Sequence, residues 1–587
     1  MLRLIKKLEK KQWLLLLIVF VLIFAQVMLE LKMPDYMSEV TKLVQTPGTN
    51  LGDIWQNGLY MLLCALGSVF IAFVSSYFIA YVTSRFSFNL TRDLFNKIQA
   101  MSFENIERFS TSSLITRTTN DISQIEMFLG MGLMIFMRSP IMAVLAISKI
   151  LDKGFEWSLA TAIAVGILLT VITLLSIIVI PKFKIIQKLT DKLNNVTREN
   201  LTGIRVVRAF NAEKYQEVKI KDVNEKLTAL HKFTQKSFGT LMPIMNIVLY
   251  GLTLVIYLIG ANMIANAAFV DKINIFGNMI VFSSYAMQVI FSFLMMAFLL
   301  VNYSRAQVSS DRINEVLNTK ETLLEGSFDS ETEKHGEIEF RDVSFKYPDA
   351  EEYILEDISF SVKQGENIAI IGMTGSGKST LVNLIPRFYE VSEGEILVDG
   401  VNVKDYTFAN LYNKIGYVSQ RAVMFNMPIK DNIAFGEAKE DIDEEDVVRA
   451  AKISQADEFI SKMDNQYDSM ISRGGTNISG GQKQRLSIAR AIARKPEIFI
   501  FDDTFSALDF KTESVLRKEL EENLKESTSI VVASRVGSIM NSDKIILLEK
   551  GRIVGMGTHK DLWLNNQLYR EIALSQLSEE ELNESIK

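Results

Sequence analysis

Six stretches in the first half of this 587-residue sequence are apolar and long enough to cross a membrane as helices. A hydrocarbon core of about 30 Å requires roughly 20 residues of helix. Because lipid offers no water to satisfy backbone polar groups, such stretches must fold as helices or closed barrels. Together with a mean hydropathy of +0.17, the pattern predicts an all-α membrane domain embedded in the lipid bilayer. The stretches lie near residues 13–33, 58–82, 127–151, 155–181, 241–265 and 276–301.

Basic residues are distributed unevenly among the links between these stretches. The links after the second and fourth stretches are long and rich in Arg and Lys, whereas the other three are short and carry few basic residues (Lys42, Lys153 and Lys272). Basic residues mark the cytoplasmic side of a membrane. We therefore expect a multi-pass protein of the cell membrane whose N-terminus, long links and C-terminal half face the cytoplasm. The first stretch runs on to about Leu31 without a small-residue cleavage site, so we interpret it as a membrane helix rather than a signal peptide.

The two long links are predicted to be helical. Residues 83–126 and 182–240 contain almost no Gly or Pro, so each should extend a membrane helix into the cytoplasm and return. Arg138, beside Pro140, is an ionisable residue inside the third stretch and thus a candidate functional residue. The alternative, which we favour, is a cation that faces a water-filled cavity or reaches an interface through its long side chain.

The composition argues against other classes of protein. A formal net charge of −6 without a basic low-complexity tract gives no support for nucleic-acid binding. The single cysteine, Cys64, rules out an intrachain disulfide and suits domains that face a reducing compartment.

The texture of the chain changes after about residue 310 to short strands, charged helices and glycine turns. Residues 337–345 and 366–371 are predicted strands, and the second leads directly into a glycine-rich loop. We predict a transmembrane domain over 1–315, a linker over 316–336, an α/β nucleotide-binding domain over 337–575 and a frayed acidic tail over 576–587.

The glycine-rich loop has the spacing of a phosphate-binding loop. The segment Gly372-Met-Thr-Gly-Ser-Gly377-Lys378-Ser379 matches G-x-x-x-x-G-K-[ST] at a predicted strand–helix junction. Backbone N–H groups should surround the phosphates of ATP, with Lys378 on the β/γ oxygens and Ser379 on Mg²⁺. Upstream, Tyr347 is placed to stack on adenine, or is a plain strand-end aromatic. The candidate ATP ligands in the loop are Gly372, Thr374, Gly375, Ser376, Gly377, Lys378, Ser379 and Thr380.

Two residues of the nucleotide site differ from what efficient hydrolysis requires. Asp502 ends an apolar strand, the usual position for a carboxylate that holds Mg²⁺ through water. Asp503 follows it where a Glu general base is expected, and Asp is one methylene shorter. Ser534 stands where a switch His is expected, and its hydroxyl has neither the reach nor the charge of an imidazole. A misplacement of about 1 Å can reduce a rate by on the order of 10²-fold, so we expect this site to bind ATP and hydrolyse it slowly.

With these motifs and the six stretches placed, nearly the whole chain resembles an exporter of the ATP-binding cassette (ABC) superfamily, with a membrane domain of the type I exporter (type IV) fold ahead of a P-loop nucleotide-binding domain. The segment from Ile478 matches the signature motif, and Ser506-Ala-Leu-Asp509 matches the D-loop. Gln420 matches the Q-loop, which implies a role with Mg²⁺. The segments 103–109 and 210–217 resemble coupling helices. The signature residues are Ser479, Gly480, Gly481 and Gln482.

The resemblance also implies a dimer in which two ATP molecules lie between one subunit's phosphate loop and the other's signature. Asp503 and Ser534 resemble the degenerate-site subunit of bacterial heterodimeric multidrug exporters. The implied partner is a second, non-identical half-transporter with an intact Glu/His site, and the implied cargo is a drug or another hydrophobic small molecule. Alternatives are a lipid or hydrophobic peptide exporter, or a nucleotide-gated membrane sensor. Arg473 stands where the family often has Glu, and no role is assigned to it.

Overall fold

The computed structural model describes residues 1–46, 48–151, 155–348, 350–438 and 441–585, and the chain separates into two compact units. The first unit comprises Met1–Gln99 and Ser110–Thr319, and the second comprises Ala100–Phe109 and Lys320–Lys587. The predicted short link at Lys153 lies outside the described residues. The helices of the first unit are α1 (Leu2–Ile5), α2 (Lys10–Gln45), α3 (Leu51–Gln99), α5 (Thr111–Thr118), α6 (Asn120–Leu151), α7 (Phe155–Thr202), α8 (Ile204–Ala209), α9 (Glu213–Gly239), α10 (Leu241–Asn266) and α11 (Phe269–Leu317); α4 (Phe103–Phe109) belongs to the second unit.

The six predicted spans are confirmed. Within the described residues, six helical segments are long and apolar enough to cross a membrane. The predicted cytoplasmic extensions are also helical, since α3 and α7 run for 49 and 48 residues, well beyond the length a bilayer requires. The segments are Lys10–Gln45, Leu51–Gln99, Thr111–Leu151, Phe155–Thr202, Glu213–Asn266 and Asp271–Leu299.

Small residues and aromatic rings bring the membrane helices together. Gly260 of α10 faces α11 so closely that a Cβ there would lie 2.6 Å from the sulfur of Met279. Trp157 of α7 packs on Phe282 of α11 with ring centroids 5.4 Å apart. Since lipid provides no hydrophobic drive for helix association, such close packing is what stabilises the bundle.

Arg138 forms an ion pair inside the membrane unit. Its guanidinium donates at 2.8 Å to Oε2 of Glu30 on α2, and Oε1 of Glu30 also accepts from Ser68 at 3.1 Å and from Gln26 at 2.9 Å. Glu30 is well buried, with 14% of its side chain exposed. Neither interpretation of Arg138 from the sequence anticipated this partner, although an acidic residue in an apolar stretch was the available signal.

The second unit contains two sheets. The strands are β1 (Ile338–Phe345), β2 (Leu355–Val362), β3 (Asn367–Gly372), β4 (Glu393–Val398), β5 (Val401–Asn402), β6 (Ile415–Val418), β7 (Ile498–Asp502), β8 (Thr528–Val532), β9 (Lys544–Glu549) and β10 (Arg552–Gly557). Four strands form an antiparallel sheet of order β2-β1-β4-β5, and six form a sheet of order β10-β9-β3-β8-β7-β6, parallel except for β10. The helices are α12 (Lys378–Leu384), α13 (Phe408–Lys414), α14 (Ile429–Ile433), α15 (Glu444–Ile453), α16 (Asp457–Ile460), α17 (Gly480–Ala493), α18 (Phe510–Asn523), α19 (His559–Asn565), α20 (Gln567–Leu574) and α21 (Glu579–Glu584).

The mainly parallel sheet is the buried centre of the second unit. Every residue of β7 is buried, and the four residues before Asp502 are all apolar, as expected for a strand covered on both faces. The strands β3, β7 and β8 are neighbours, so their carboxyl ends lie at the same edge of the sheet. Ligands of open parallel sheets bind at this edge.

The acidic tail is not frayed, contrary to our prediction. Ser578 caps α21 with a capping box, and Leu582 is fully buried in the core of the second unit. Nε2 of His559 lies 2.9 Å from the hydroxyl of Ser585, and its Nδ1 lies 2.7 Å from that of Tyr569. One buried leucine and a capped first turn are enough to order a helix whose charged residues face solvent.

Candidate nucleotide-binding site

The phosphate-binding loop connects β3 to α12, as predicted. Gly375 and Gly377 have φ values of +84° and +98°, which side-chain-bearing residues rarely adopt, so the turn requires glycine at both positions. A Cβ on Gly372 would collide with the carbonyl oxygen of Leu548 on β9. The hydroxyl of Ser376 is buried and has no hydrogen-bond partner among the described residues, so it is available to a phosphate oxygen. Thr374 is exposed in the same loop.

The charged groups of the site are held close together. Nζ of Lys378 donates to the carbonyl oxygens of Gly372 and Met373 at 2.8 and 2.9 Å, so it lies inside the loop that should receive phosphates. Burial lowers the pKa of Lys378, and Asp503 and Asp502 oppose that change. Burial and the nearby charge of Asp503 raise the pKa of Asp502. A raised pKa means that the ionised form of Asp502 is destabilised. A cation bound next to this carboxylate would favour the ionised form.

Ser379 and Asp502 form a direct contact. Oγ of Ser379 donates to Oδ1 of Asp502 at 2.8 Å, although 123 residues separate them in the chain. Tyr417 of β6 reaches Oδ2 of Asp502 at 3.4 Å and Asn383 at 2.8 Å. A hydroxyl and a carboxylate are oxygen ligands of the type that Mg²⁺ prefers, so this pair fits the metal that accompanies ATP.

Asp503 is the centre of a second hydrogen-bond network. Its Oδ1 accepts from the hydroxyl of Ser534 at 3.1 Å, and its Oδ2 accepts from Nε2 of Gln420 at 3.1 Å. Its backbone has φ of +46°, and its N–H donates to the carbonyl of Val532 on β8. The two residues that we predict to impair hydrolysis are therefore in contact, and both oxygens of Asp503 are engaged by neutral donors.

Tyr347 lies against the phosphate-loop helix. Its hydroxyl is 3.2 Å from Oγ1 of Thr380 in α12, and its ring makes edge contacts with Phe345 and Tyr389. The half-buried ring is thus fixed by three neighbours. Its placement beside the loop agrees with a role in binding the base, and its contacts also satisfy the plain structural interpretation.

The signature segment lies at the start of α17, apart from the phosphate-binding loop of the same chain. Ser479 caps α17, its hydroxyl accepting from the N–H of Gln482 at 3.3 Å while the Gln482 side chain accepts from the N–H of Ser479 at 2.8 Å. Gly480 is exposed, and a Cβ on Gly481 would lie 3.4 Å from the carbonyl oxygen of Ala507 in the D-loop. Among the described residues, no hydrogen bond joins this segment to the phosphate-binding loop. The donors at the start of α17 therefore point to solvent, where a second molecule can meet them.

Three contacts of the site have no signal in the sequence. Nε2 of Gln576 donates to the carbonyl of Ser534 at 3.0 Å, and its Oε1 accepts from the N–H of Val536 at 2.7 Å, so a residue assigned to the tail fixes the switch segment. Gln484 of α17 donates to the carbonyl of Ser419, next to Gln420, at 3.1 Å. This bond links the signature helix to the Q-loop. No motif marks these positions, because the contacts join segments distant in the chain.

The first predicted coupling helix packs on the nucleotide-binding unit. The ring of Phe103 in α4 lies 4.8 Å from that of Phe388, and Oε1 of Glu107 accepts from the hydroxyl of Tyr389 at 3.1 Å. Tyr389 also contacts Tyr347. Tyr389 therefore contacts both α4 and Tyr347, the residue predicted to stack on adenine.

Comparison with known proteins agrees with this geometry. Residues 355–506 match the family model described as ABC transporter, and residues 16–293 match that of the ABC transporter transmembrane region. The uncharacterized ABC transporter ATP-binding protein YfiB of Bacillus subtilis (strain 168) is 34% identical over 90% of this chain and 91% of its own length. The chain belongs to the ABC transporter family.

Two further similarities define the relatives of this ABC transporter. The ATP-dependent lipid A-core flippase of Haemophilus influenzae (strain ATCC 51907 / DSM 11121 / KW20 / Rd) is 31% identical over 85% of this chain and 84% of its own length. The structure of a bacterial Atm1-family ABC exporter with ATP bound superposes with a TM-score of 0.82, covering 97% of this chain and all of the other at 22% identity. This second match shows the exporter fold.

The ABC transporter is a half-transporter, because one membrane domain and one nucleotide-binding domain share the chain. It is a multi-pass membrane protein with a cytoplasmic nucleotide-binding domain, and it uses ATP hydrolysis to drive transport. ATP supplies the free energy of the transport cycle.

Proposed function

We propose that this half-transporter is the degenerate-site subunit of a heterodimeric exporter of drugs or other amphipathic compounds. The proposal is supported above all by the contact of Asp503 with Ser534 and Gln420. A general base must lie within about 2.6–3.2 Å of the water that it orients. The carboxylate of Asp503 is short, and both of its oxygens are already engaged. The site built on this phosphate loop then retains ATP and hydrolyses it slowly.

In the proposed complex, Ser379, Asp502 and Gln420 would hold Mg²⁺, and Tyr347 would stack on adenine. The metal would supply positive charge that offsets the negative charge of the phosphates. The signature of this chain, led by Ser479, completes the ATP site of a non-identical partner. That partner supplies the Glu and His that this chain lacks, so hydrolysis takes place mainly on the phosphate loop of the partner.

The proposal is tested by the nucleotide chemistry of the chain purified alone. Binding of Mg-ATP should be measurable by isothermal titration calorimetry, whereas phosphate release should be slower than that of the complex with its partner by on the order of 10²-fold. Lys378→Ala serves as the control that weakens binding. Brisk turnover by the single chain would refute the assignment of a weak site.

Export of a lipid is the second candidate function. It is supported by the similarity to the lipid A-core flippase of Haemophilus influenzae, at 31% identity over most of both chains. Drug export and lipid export can be distinguished in inverted membrane vesicles that contain the complex. ATP-dependent accumulation of a hydrophobic dye supports the drug exporter, and ATP-dependent transfer of a fluorescent lipid between leaflets supports the lipid exporter. If the complex binds ATP but shows neither activity, the result would indicate a nucleotide-gated sensor instead.

A further inference from the structure

Glu513 of α18 is a buried carboxylate that belongs to none of the motifs described above. Its side chain is only 6% exposed, and burying an ionised carboxylate is costly unless it is paired and hydrogen-bonded. It lies in the first turn of α18, four residues beyond Asp509 at the end of the D-loop. The groups that engage its two oxygens therefore show which segments it holds in place.

On one side, Glu513 holds the segment 535–538, which follows Ser534. Its Oε1 accepts a hydrogen bond from the hydroxyl of Ser538, and its Oε2 lies 3.6 Å from a guanidinium nitrogen of Arg535. The contact with Ser538 is buried, whereas the side chain of Arg535 is exposed and its ion pair contributes less. Gln576 holds the backbone of the same segment independently. Loss of Glu513 should therefore displace this segment without unfolding it.

On the other side, Glu513 holds the turn Thr504–Ala507, which follows Asp503, through Arg517. Nε of Arg517 lies 3.4 Å from Oε1 of Glu513, and its guanidinium lies over the ring of Phe505, 5.1 Å from the centroid. Burial lowers the pKa of Arg517, and the charge of Glu513 opposes that change. A cation is attracted to an aromatic face more strongly when it is desolvated. The position of Arg517 therefore restrains the buried ring of Phe505.

The two segments meet at the hydrogen bond between Asp503 and Ser534. Phe505 lies two residues beyond Asp503, and the segment 535–538 begins directly after Ser534. Ala507, at the end of the turn, packs against Gly481 at the start of the signature helix α17. One buried carboxylate thus connects the two sides of the Asp503–Ser534 contact, and one of those sides adjoins the signature.

We propose that Glu513 is a positioning residue for ATP hydrolysis, which fixes the turn after Asp503 relative to the segment after Ser534. Among the described residues, Glu513 forms no hydrogen bond or ion pair with the phosphate-binding loop, so it acts through the residues that it holds. The inference goes beyond the assignment of a weak site. It applies whichever phosphate-binding loop of the dimer hydrolyses ATP, because the turn adjoins both Asp503 and the signature helix.

Hydrogen–deuterium exchange of the full-length protein in its purified complex tests the positions of the two segments. Glu513→Met removes both carboxylate oxygens and keeps a side chain of similar length. The backbone N–H groups of Leu508 and Ile539 donate hydrogen bonds within the turn and within the segment, respectively. Both should exchange faster in Glu513→Met by about fivefold or more, since local opening becomes easier when a segment loses its contacts.

Glu521→Met is the matched control. Glu521 lies four residues beyond Arg517 on the same helix, and its charge also acts on that guanidinium. It is exposed, and within the described residues it forms no hydrogen bond or ion pair with either segment. Glu521→Met should therefore leave exchange in both segments unchanged. Faster exchange throughout the nucleotide-binding unit of Glu513→Met would instead show a merely structural role and overturn the proposal.

ATP hydrolysis by the same complexes tests whether these positions matter for the reaction. Glu513→Met should lower kcat by about tenfold or more, because a displacement of about 1 Å can cost on the order of 10²-fold in rate. The KM for ATP should stay within about twofold, since the phosphate-binding loop keeps its contacts. Glu521→Met should change neither constant. An unchanged kcat in Glu513→Met, or an equal loss in Glu521→Met, would overturn the proposal.

Two milder variants keep the proposal testable if Glu513→Met does not fold. Ser538→Ala removes the hydroxyl on one side, and Arg517→Met removes the cation on the other. Each should lower kcat by less than Glu513→Met does. Each should also change kcat by less than about twofold when Glu513 is already replaced, because both act through that carboxylate. Full additivity with Glu513→Met, or no effect of either variant alone, would show that Glu513 does not connect the two segments.

Discussion

The hydroxyl of Ser534 lies 3.1 Å from Oδ1 of Asp503 and donates a hydrogen bond to it. Gln420 donates to the other carboxylate oxygen at the same distance. The residues at the predicted positions of the general base and of the switch are therefore in direct contact in this protein. Residues in direct contact do not act additively when they are replaced, and changing one of these two leaves the other without its partner.

Restoring the efficient pair should raise ATP hydrolysis at this site. We expect Asp503→Glu combined with Ser534→His to increase turnover by on the order of 10²-fold, because the longer carboxylate reaches the water and the imidazole can hold the γ-phosphate. Each single change should give much less than half of that gain in free energy. The measurement is phosphate release from a complex whose partner phosphate loop is inactivated. Asp503→Asn is the control and should show no gain in turnover. A rise in turnover with Asp503→Asn equal to that of the double variant would exclude a role for a general base at position 503.

The signature of this chain should matter more for the complex than its own phosphate-binding loop. Ser479→Ala or Gly480→Asp should nearly abolish the ATPase and export activities, since loss of one preorganised donor reduces a rate by on the order of 10²–10³-fold. Lys378→Ala should leave a measurable fraction of both. The activities are compared in membranes that also express the wild-type partner. Greater damage from Lys378→Ala would place the weak site on the other subunit.

The ion pair of Glu30 and Arg138 should contribute to stability as a unit. Glu30→Gln leaves a cation without its partner inside the membrane, which should cost about 2–3 kcal/mol. Arg138→Met leaves the buried carboxylate of Glu30 with only Ser68 and Gln26 and should be similarly harmful. The combination of Glu30→Gln with Arg138→Met should recover much of the loss. Thermal unfolding in detergent gives all three values; additive losses would show that the pair is not coupled.

Acid should weaken the packing of the C-terminal helix through His559. Burial lowers the pKa of this imidazole from its ordinary value. Between the lowered pKa and about 6.5 the unfolded chain binds more protons than the folded one, so stability falls as pH decreases through this window. We expect the midpoint of thermal unfolding of the nucleotide-binding unit in the full-length protein to drop between pH 7.5 and 5.5. His559→Gln should flatten that slope, and an unchanged slope would assign the pH dependence to other groups.

Much of the architecture was predictable because it depends on local patterns. Six apolar stretches of bilayer length must be helices, since lipid offers no other partner for their backbone groups. The phosphate-binding loop was equally evident, because Gly375 and Gly377 adopt conformations that few other residues tolerate. The resemblance predicts that α4 is a coupling helix, and the structure shows that Phe103 of α4 packs on Phe388.

The tertiary structure alone decided which distant side chains meet. The sequence by itself led to the prediction that Asp503 and Ser534 impair hydrolysis, and it determined that Arg138 is a charge within a membrane span. It did not determine that Asp503 bonds to Ser534, that Glu30 neutralises Arg138, or that Leu582 anchors the acidic tail in the core. Periodicity and motifs report interactions along a few turns of chain. Hydrogen bonds and ion pairs between remote segments depend on how the helices and strands pack, because only packing brings those atoms within about 3 Å.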